Sequence, residues 1–212
     1  MATTKRRTTD RTAIIRRRYD RVAGVYDWME LGAGRRMSVW RQALWRDVRG
    51  DVLEVGVGTG ANMPYYPKEA RVCAIDFSPR MLERARCRAR ELGADVRLML
   101  MDAQDLAFAD NCFDFVLTTC VFCSVPDAVR GLREIRRVLR PTGRLVMLEH
   151  MRSDVVPLGF FMDLLNPLVV GTVGANINRR TLENVRAAGL QIVSAENLLL
   201  DIFRRIVAVP GK

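Results

Sequence analysis

Leu53-Glu54-Val55-Gly56-Val57-Gly58-Thr59-Gly60 is a short apolar run that ends in three glycines at alternate positions. Such a run reads as a buried strand entering a tight turn, with glycine where backbone approaches a ligand or takes positive φ. The sequel gives the turn a ligand. A second run, Val72-Cys73-Ala74-Ile75, ends in Asp76, and Ser78 and Pro79 then supply a helix cap and a first helical residue. An acid at the tip of the second strand, 18 residues beyond Gly58, is placed to accept hydrogen bonds from both hydroxyls of a ribose. A third run, Val96 to Leu100, leads into Met101-Asp102-Ala103-Gln104-Asp105, where Asp102 can accept from the exocyclic amine of an adenine. Glycines, ribose acid and adenine acid thus fall on three consecutive strand ends, and the expected ligand contains a nucleoside. The loop is G-x-G-x-G with Pro64 close behind, which departs from the dinucleotide G-x-G-x-x-G, and the chain has no P-loop.

Around this stretch short apolar runs alternate with helical ones, the pattern of βαβ units and a parallel sheet. Strands are expected at Val52 to Val55, Val72 to Ile75, Val96 to Leu100, Phe113 to Leu117, Leu145 to Leu148, Leu190 to Ser194 and Ile202 to Val209. Helices are expected at Pro79 to Leu92, Asp127 to Leu139 and Arg180 to Ala188, with Pro141-Thr142-Gly143 a turn between helix and strand. Residues 1–50 differ from the rest: they form a basic helical extension and lid, in which Ile14, Ile15, Val22, Val25, Tyr26 and Trp28 are interleaved with arginines. Residues 51–212 form the nucleoside-binding domain, with an apolar insert at 154–178 whose proline, glycine and asparagine content argues against a membrane span.

The chain has 212 residues with 34 Lys plus Arg against 24 Asp plus Glu, a net charge of +10, and is 49% hydrophobic. That composition excludes a wholly disordered chain. Thirteen basic and five acidic residues fall in the first fifty, so nearly all of the excess charge sits on the extension. Five cysteines without framework-like spacing and no signal-peptide pattern suit a reducing, cytoplasmic setting. Cys120-x-x-Cys123 lacks a second pair and the chain has one histidine, so no metal is expected.

These motifs resemble class I S-adenosylmethionine-dependent methyltransferases. Leu53 to Gly60 is similar to that family's first motif, Ala74 to Ser78 to its ribose motif, Asp102 to Gln104 to its adenine motif, and Asp114 to Val125 to its fourth-strand motif. Leu139 to Leu145 is similar to the loop before the fifth strand, with P-T-G where the family usually has P-G-G. The resemblance implies an α/β, Rossmann-like sheet of seven strands, mostly parallel with one antiparallel strand, helices on both faces and an N-terminal helical lid. It also implies S-adenosylmethionine as cofactor, held by Tyr19, Glu54, Gly56, Gly58, Gly60, Asn62, Asp76, Phe77, Ser78, Met81, Asp102, Ala103, Gln104 and Thr119.

For the methyl acceptor, Arg18 to Asp27, Phe122 to Asp127, Glu149-His150, Leu164 to Pro167 and Gly174 to Arg180 resemble bacterial phosphatidylethanolamine N-methyltransferases. Quinone C-methyltransferases share the tyrosine-rich helix, and membrane-associated thiol methyltransferases share the Cys-Ser-Val and Glu-His elements. Lipid amine ranks first, which implies a phospholipid substrate and a peripheral place on the inner, anionic face of a membrane. The basic helix suits that surface, or forms a lid with a solvated outer face. The apolar insert suits an acyl chain, ordinary core or a dimer contact. Nucleic acid ranks last, because 31 of the basic residues are arginine without an aromatic-basic stripe and no N-P-P-[YF] tetrapeptide follows the fourth strand. His150, Tyr26 and Glu149 are the catalytic candidates, as proton acceptor or as groups that position the acceptor.

Overall fold

The computed structural model describes residues 12–21, 35–172 and 175–211. Its strands are β1 Gly50–Val55, β2 Ala70–Asp76, β3 Val96–Leu100, β4 Phe113–Thr119, β5 Leu139–His150, β6 Leu190–Leu199 and β7 Phe203–Pro210. They form one sheet in the order β3-β2-β1-β4-β5-β7-β6. The first five pair in parallel, and β7 runs antiparallel to both of its neighbours. This is the mixed seven-stranded sheet expected from the sequence.

The described helices are α1 (residues 12–21), α2 (35–45), α3 Pro79–Leu92, α4 Ala128–Val138, α5 Val156–Thr172 and α6 Thr181–Ala187. Strand alternation explains why they cover both faces. Leu53, Val55, Ile75, Val116 and Met147 point to the side where α4 brings Leu132 and Ile135 and α6 brings Val185. Val52, Val72, Ala74, Leu117 and Val146 point to the other, against Leu44 and Trp45 of α2 and Leu82 and Ala85 of α3. Trp45 is completely buried there, tilted against Tyr66 with ring centroids 4.4 Å apart.

Two segments depart from the sequence expectation. Pro141-Thr142-Gly143 is not a free turn. Phe113 pairs with Leu139 and Phe115 with Arg144, so the residues between bulge out of a strand that already starts at Leu139. Burial of Leu139 in the core draws the strand back that far. The apolar insert contains a 17-residue helix, α5, in which only Gly159 and Met162 are buried. Among the described residues no helix is long and apolar enough to cross a membrane.

The sheet's order reverses between β1 and β4, on either side of which the connections leave in opposite directions. Ligands of doubly wound sheets lie outside the carboxyl ends of the strands at such a point.

Candidate active site

The turn after β1 is held by its neighbours. Gly56 N and Val57 N donate to the Ile75 carbonyl at 2.8 and 3.0 Å. Gly56 has φ +74°, and a Cβ there would stand 2.4 Å from Cγ2 of Val121, so both backbone and space require glycine. Gly58 has φ +56° with open space beside it, and there the conformation alone favours glycine. Asp76 fastens this turn to the next element. One carboxylate oxygen accepts from Gly58 N and the other from Ser78 N, each at 2.9 Å. Burial pushes the Asp76 carboxyl up to about 6, against the lowering effect of the backbone N–H donors.

Ser78 then caps α3, its hydroxyl accepting from Met81 N at 3.1 Å while Pro79 opens the helix and Gly93 closes it at φ +60°. The same hydroxyl donates to Asp20 of α1 at 2.5 Å. Ser78→Ala is therefore expected to lower stability by about 1 kcal/mol through the lost cap and to loosen α1, checked by denaturant unfolding and by proteolysis within residues 12–21.

At the third strand end Gln104 Nε2 donates to both oxygens of Asp102 at 3.0 Å and to the hydroxyl of Thr12 at 3.2 Å. Its carbonyl accepts from Asp127 N at 3.0 Å, and Asp127 is the cap of α4. One buried amide thus joins α1, the β3 loop and α4. Tyr19 of α1 meets Phe77 edge-on at 5.6 Å; its phenol is held above the ordinary value, first by burial, against a hydrogen bond with Ser124 that lowers it.

These elements line a cavity of about 70 Å³ that is partly open to solvent. Tyr19, Gly56, Gly58, Asp76, Phe77, Met81, Asp102, Ala103 and Thr119 all line it. Glu54, Gly60, Asn62, Ser78 and Gln104 are not part of its lining. Glu54 is engaged elsewhere: one oxygen accepts from Asn62 Nδ2 at 2.6 Å and the other from the Tyr66 hydroxyl, and burial raises its carboxyl. It braces the turn from below the cavity wall, as Ser78 and Gln104 brace the two sides.

The sequence reading placed Asp114 to Val125 and Phe122 to Asp127 in motif stretches but named no cofactor residue there beyond Thr119, whereas Cys120, Val121, Ser124, Val125 and Pro126 form a further wall. Cys120 takes φ +55° without being glycine, so no glycine marks the bend. Its support comes from far along the chain. Arg179 donates from Nε to the Phe122 carbonyl at 3.2 Å and from Nη2 to that of Val125 at 2.5 Å. Asn176 donates from N and Nδ2 to the Cys123 carbonyl at 2.8 and 3.0 Å.

Glu149 supports the same loop from inside. It is fully buried, and Oε1 accepts from Thr118 Oγ1 at 2.9 Å, Val121 N at 3.1 Å and Phe122 N at 3.3 Å. Oε2 has no partner among the described residues. Burial pushes the carboxyl up to about 7. His150, next along β5, pairs in register with Phe203, and the two rings meet edge-on at 5.3 Å. Burial lowers its pKa, and it is not among the cavity's lining residues. Tyr26 lies outside the described residues.

A relative matched along most of both chains decides the family. The chain is 32% identical over 216 residues to the demethylmenaquinone methyltransferase of Clavibacter sepedonicus, covering 87% of this chain and 85% of that one. The chain belongs to the S-adenosylmethionine-dependent methyltransferase family. The family described as "Methyltransferase domain" matches residues 53–147. The phosphatidylethanolamine N-methyltransferase of Cereibacter sphaeroides is 42% identical over 111 residues, 51% of this chain and 55% of that one. The methyltransferase chain spans about half the length of the first curated relatives it matches. In fold it is similar to the geranyl diphosphate C-methyltransferase of Streptomyces coelicolor, with a TM-score of 0.68 at 17% identity over 82% of this chain and 79% of that one. The site fits the family's cofactor. Its walls pair the carboxylates of Asp76 and Asp102 with apolar Phe77, Met81 and Met101, acceptors and apolar surface of the kinds a ribose, an adenine and a methionine chain require.

Proposed function

We propose that the protein methylates the amine of phosphatidylethanolamine, toward phosphatidylcholine, at the inner face of a membrane. The observation that carries this reading is the likeness to the Cereibacter sphaeroides enzyme, higher in identity than that to the menaquinone enzyme. Adenosylmethionine, when bound, supplies a methyl group on a sulfonium. Asp76 and Asp102 would hold its ribose and adenine, and Tyr19 and Ser124 would face its reacting end. The acceptor must be a free amine, since an ammonium has no lone pair. As nitrogen gains the methyl group, the bond to sulfur breaks and a nitrogen proton leaves. Most of the rate is expected to come from aligning the two reacting atoms in a site that Val121, Val125 and Met101 keep apolar. His150, whose pKa burial lowers, is the histidine candidate to take that proton and would do so through water, since it does not line the cavity.

A second reading, methylation of a quinone precursor, is favoured by the long match to the demethylmenaquinone enzyme. The two are separated by mass measurement of lipids after incubation with adenosylmethionine. Phosphatidylethanolamine vesicles are expected to yield mono-, di- or trimethylated headgroups. Turnover of a demethylated quinone or a soluble thiol with no methylated phospholipid would overturn the lipid reading.

A further inference from the structure

Among the described residues α5 presents an apolar surface that the cofactor site does not explain. Val156, Phe160, Phe161, Leu164, Leu165 and Leu168 are each at least half exposed, Phe160 at 61%, Leu164 at 64% and Leu168 at 67%. At about 100° per residue these six fall on one half of the helix, where the other residues are Pro157, Pro167, Gly171 and Thr172. No charge interrupts that half. The helix's single charged side chain, Asp163, stands at its border and is neutralised by Arg152 at 2.9 Å, with Asn178 donating to it at 3.0 Å.

A second apolar element lies beside the first. Ser153 Oγ donates to the Asp201 carboxylate at 2.7 Å, and Asp154 N donates to it at 2.5 Å, which fixes the turn between β6 and β7 against the start of α5. At that turn Leu200 takes φ +50° and is 68% exposed. A leucine in the left-handed region is strained, and this one stands with its apolar side chain in solvent. Both elements sit at the carboxyl edge of the sheet, the edge that carries the cofactor cavity.

Charge names the occupant. The Arg18 guanidinium donates to the Val170 carbonyl, tying α1 to the last turns of α5, and Arg16, Arg17 and Arg21 on α1 are exposed. A second copy seated on this face would bring two such arginine sets together. An anionic lipid leaflet matches both the arginines and the uncharged apolar half. We infer that α5 is the membrane seat of the protein, its outward half entering the acyl boundary of an anionic leaflet with Leu200 beside it and the α1 arginines at the headgroups. The helix lies in the interface and does not span. The seat shares the bilayer with the proposed function but not the acceptor, and it is measured without turnover.

The test is sedimentation with vesicles of phosphatidylcholine, with and without phosphatidylglycerol, using adenosylmethionine affinity to show that each variant is folded. Wild type is expected on the phosphatidylglycerol vesicles. Phe160→Glu with Leu164→Glu is expected to lower partitioning at least about tenfold with cofactor affinity unchanged. Arg16→Glu, Arg17→Glu and Arg21→Glu together are expected to remove the preference for phosphatidylglycerol. In Leu168→Trp, brominated acyl chains are expected to quench fluorescence beyond the loss seen in wild type. The inference is overturned by α5 variants that bind like wild type, or by a bound Leu168→Trp protein that is not quenched. It is equally overturned by a wild type that ignores vesicles and forms a dimer which the α5 variants dissociate. Intact vesicle binding without methylated phospholipid would remove the acceptor reading and leave the seat.

Discussion

Asp76→Ala is expected to weaken adenosylmethionine binding at least about 100-fold, read by calorimetry. A hydrogen bond to a charged group contributes about 1.5–3 kcal/mol, so if Asp76 accepts from both ribose hydroxyls as proposed, loss of the two amounts to two orders of magnitude or more. The substitution also frees Gly58 N and Ser78 N, which the carboxylate now holds at 2.9 Å, and the glycine turn loses its tie to α3. Asp76→Asn, with one acceptor left, is expected to fall between. The pH dependence has a definite sign. The carboxyl of the folded protein is raised from 3.8 to about 6, and under the proposed ribose role the hydroxyls would donate to the ionised form. Cofactor affinity should therefore decline as pH falls below about 6, approaching tenfold per unit, and Asp76→Asn should abolish the slope. Stability of the free protein runs the other way. A raised carboxyl favours the folded state below pH 3.8, and that contribution is lost as pH rises through 6. His150→Ala is expected to leave cofactor affinity unchanged, because the ring packs on Phe203 and is not part of the cavity's lining. Undiminished binding by Asp76→Ala would remove the ribose assignment.

The contrast between Asp76 and the loop of Cys120 shows what local sequence can and cannot convey. The glycine turn, Asp76 and Asp102 were legible because each obeys a rule written in neighbouring residues: a strand, its end, and a residue type that the ligand's chemistry requires. All of them except Gly60 line the cavity. Strands β2, β3 and β4 were legible for the same reason, their apolar runs being short and bounded. The opposite wall follows no such rule. Cys120 bends without glycine, and the loop is held by Arg179 and Asn176, more than fifty residues away. Those contacts exist only once β5 and the segment after α5 have folded back. Glu54 illustrates a subtler limit, since it does not line the cavity. An acid one residue before the strand's end looks like a ligand group, yet strand alternation turns it toward Asn62 and Tyr66. The α5 helix was visible as an apolar insert but not as a surface, because an apolar run carries no mark of which side the core will take.

Glu149 tests whether a buried acid beside the cavity takes part in chemistry or holds the wall. Glu149→Ala is expected to cost about 3 kcal/mol or more of stability and to lose activity, since Thr118 Oγ1, Val121 N and Phe122 N would be left without their acceptor in the interior. Glu149→Gln should behave quite differently. All three donors meet Oε1, whereas Oε2 is buried with no partner among the described residues, so a proton on Oε2 would disturb none of the three bonds. A glutamine amide nitrogen occupies that position with the same shape and no charge. The carboxyl is raised from 4.5 to about 7 by burial, so its contribution to stability is complete below pH 4.5 and lost as pH rises through 7. The shift corresponds to about 3 kcal/mol between those limits. Glu149→Gln should remove this slope and equal or exceed wild type in stability above pH 7, measured by denaturant unfolding across pH. If Glu149 positions the wall, kcat of the glutamine variant stays within about threefold of wild type, because the oxygen that holds Val121 and Phe122 is retained. A proton acceptor would show the reverse, with normal folding and kcat reduced by two orders of magnitude or more. The three donors on one oxygen favour the first outcome, since a group that must release and regain a proton at substrate is not expected to be sealed beneath a loop of the cavity wall.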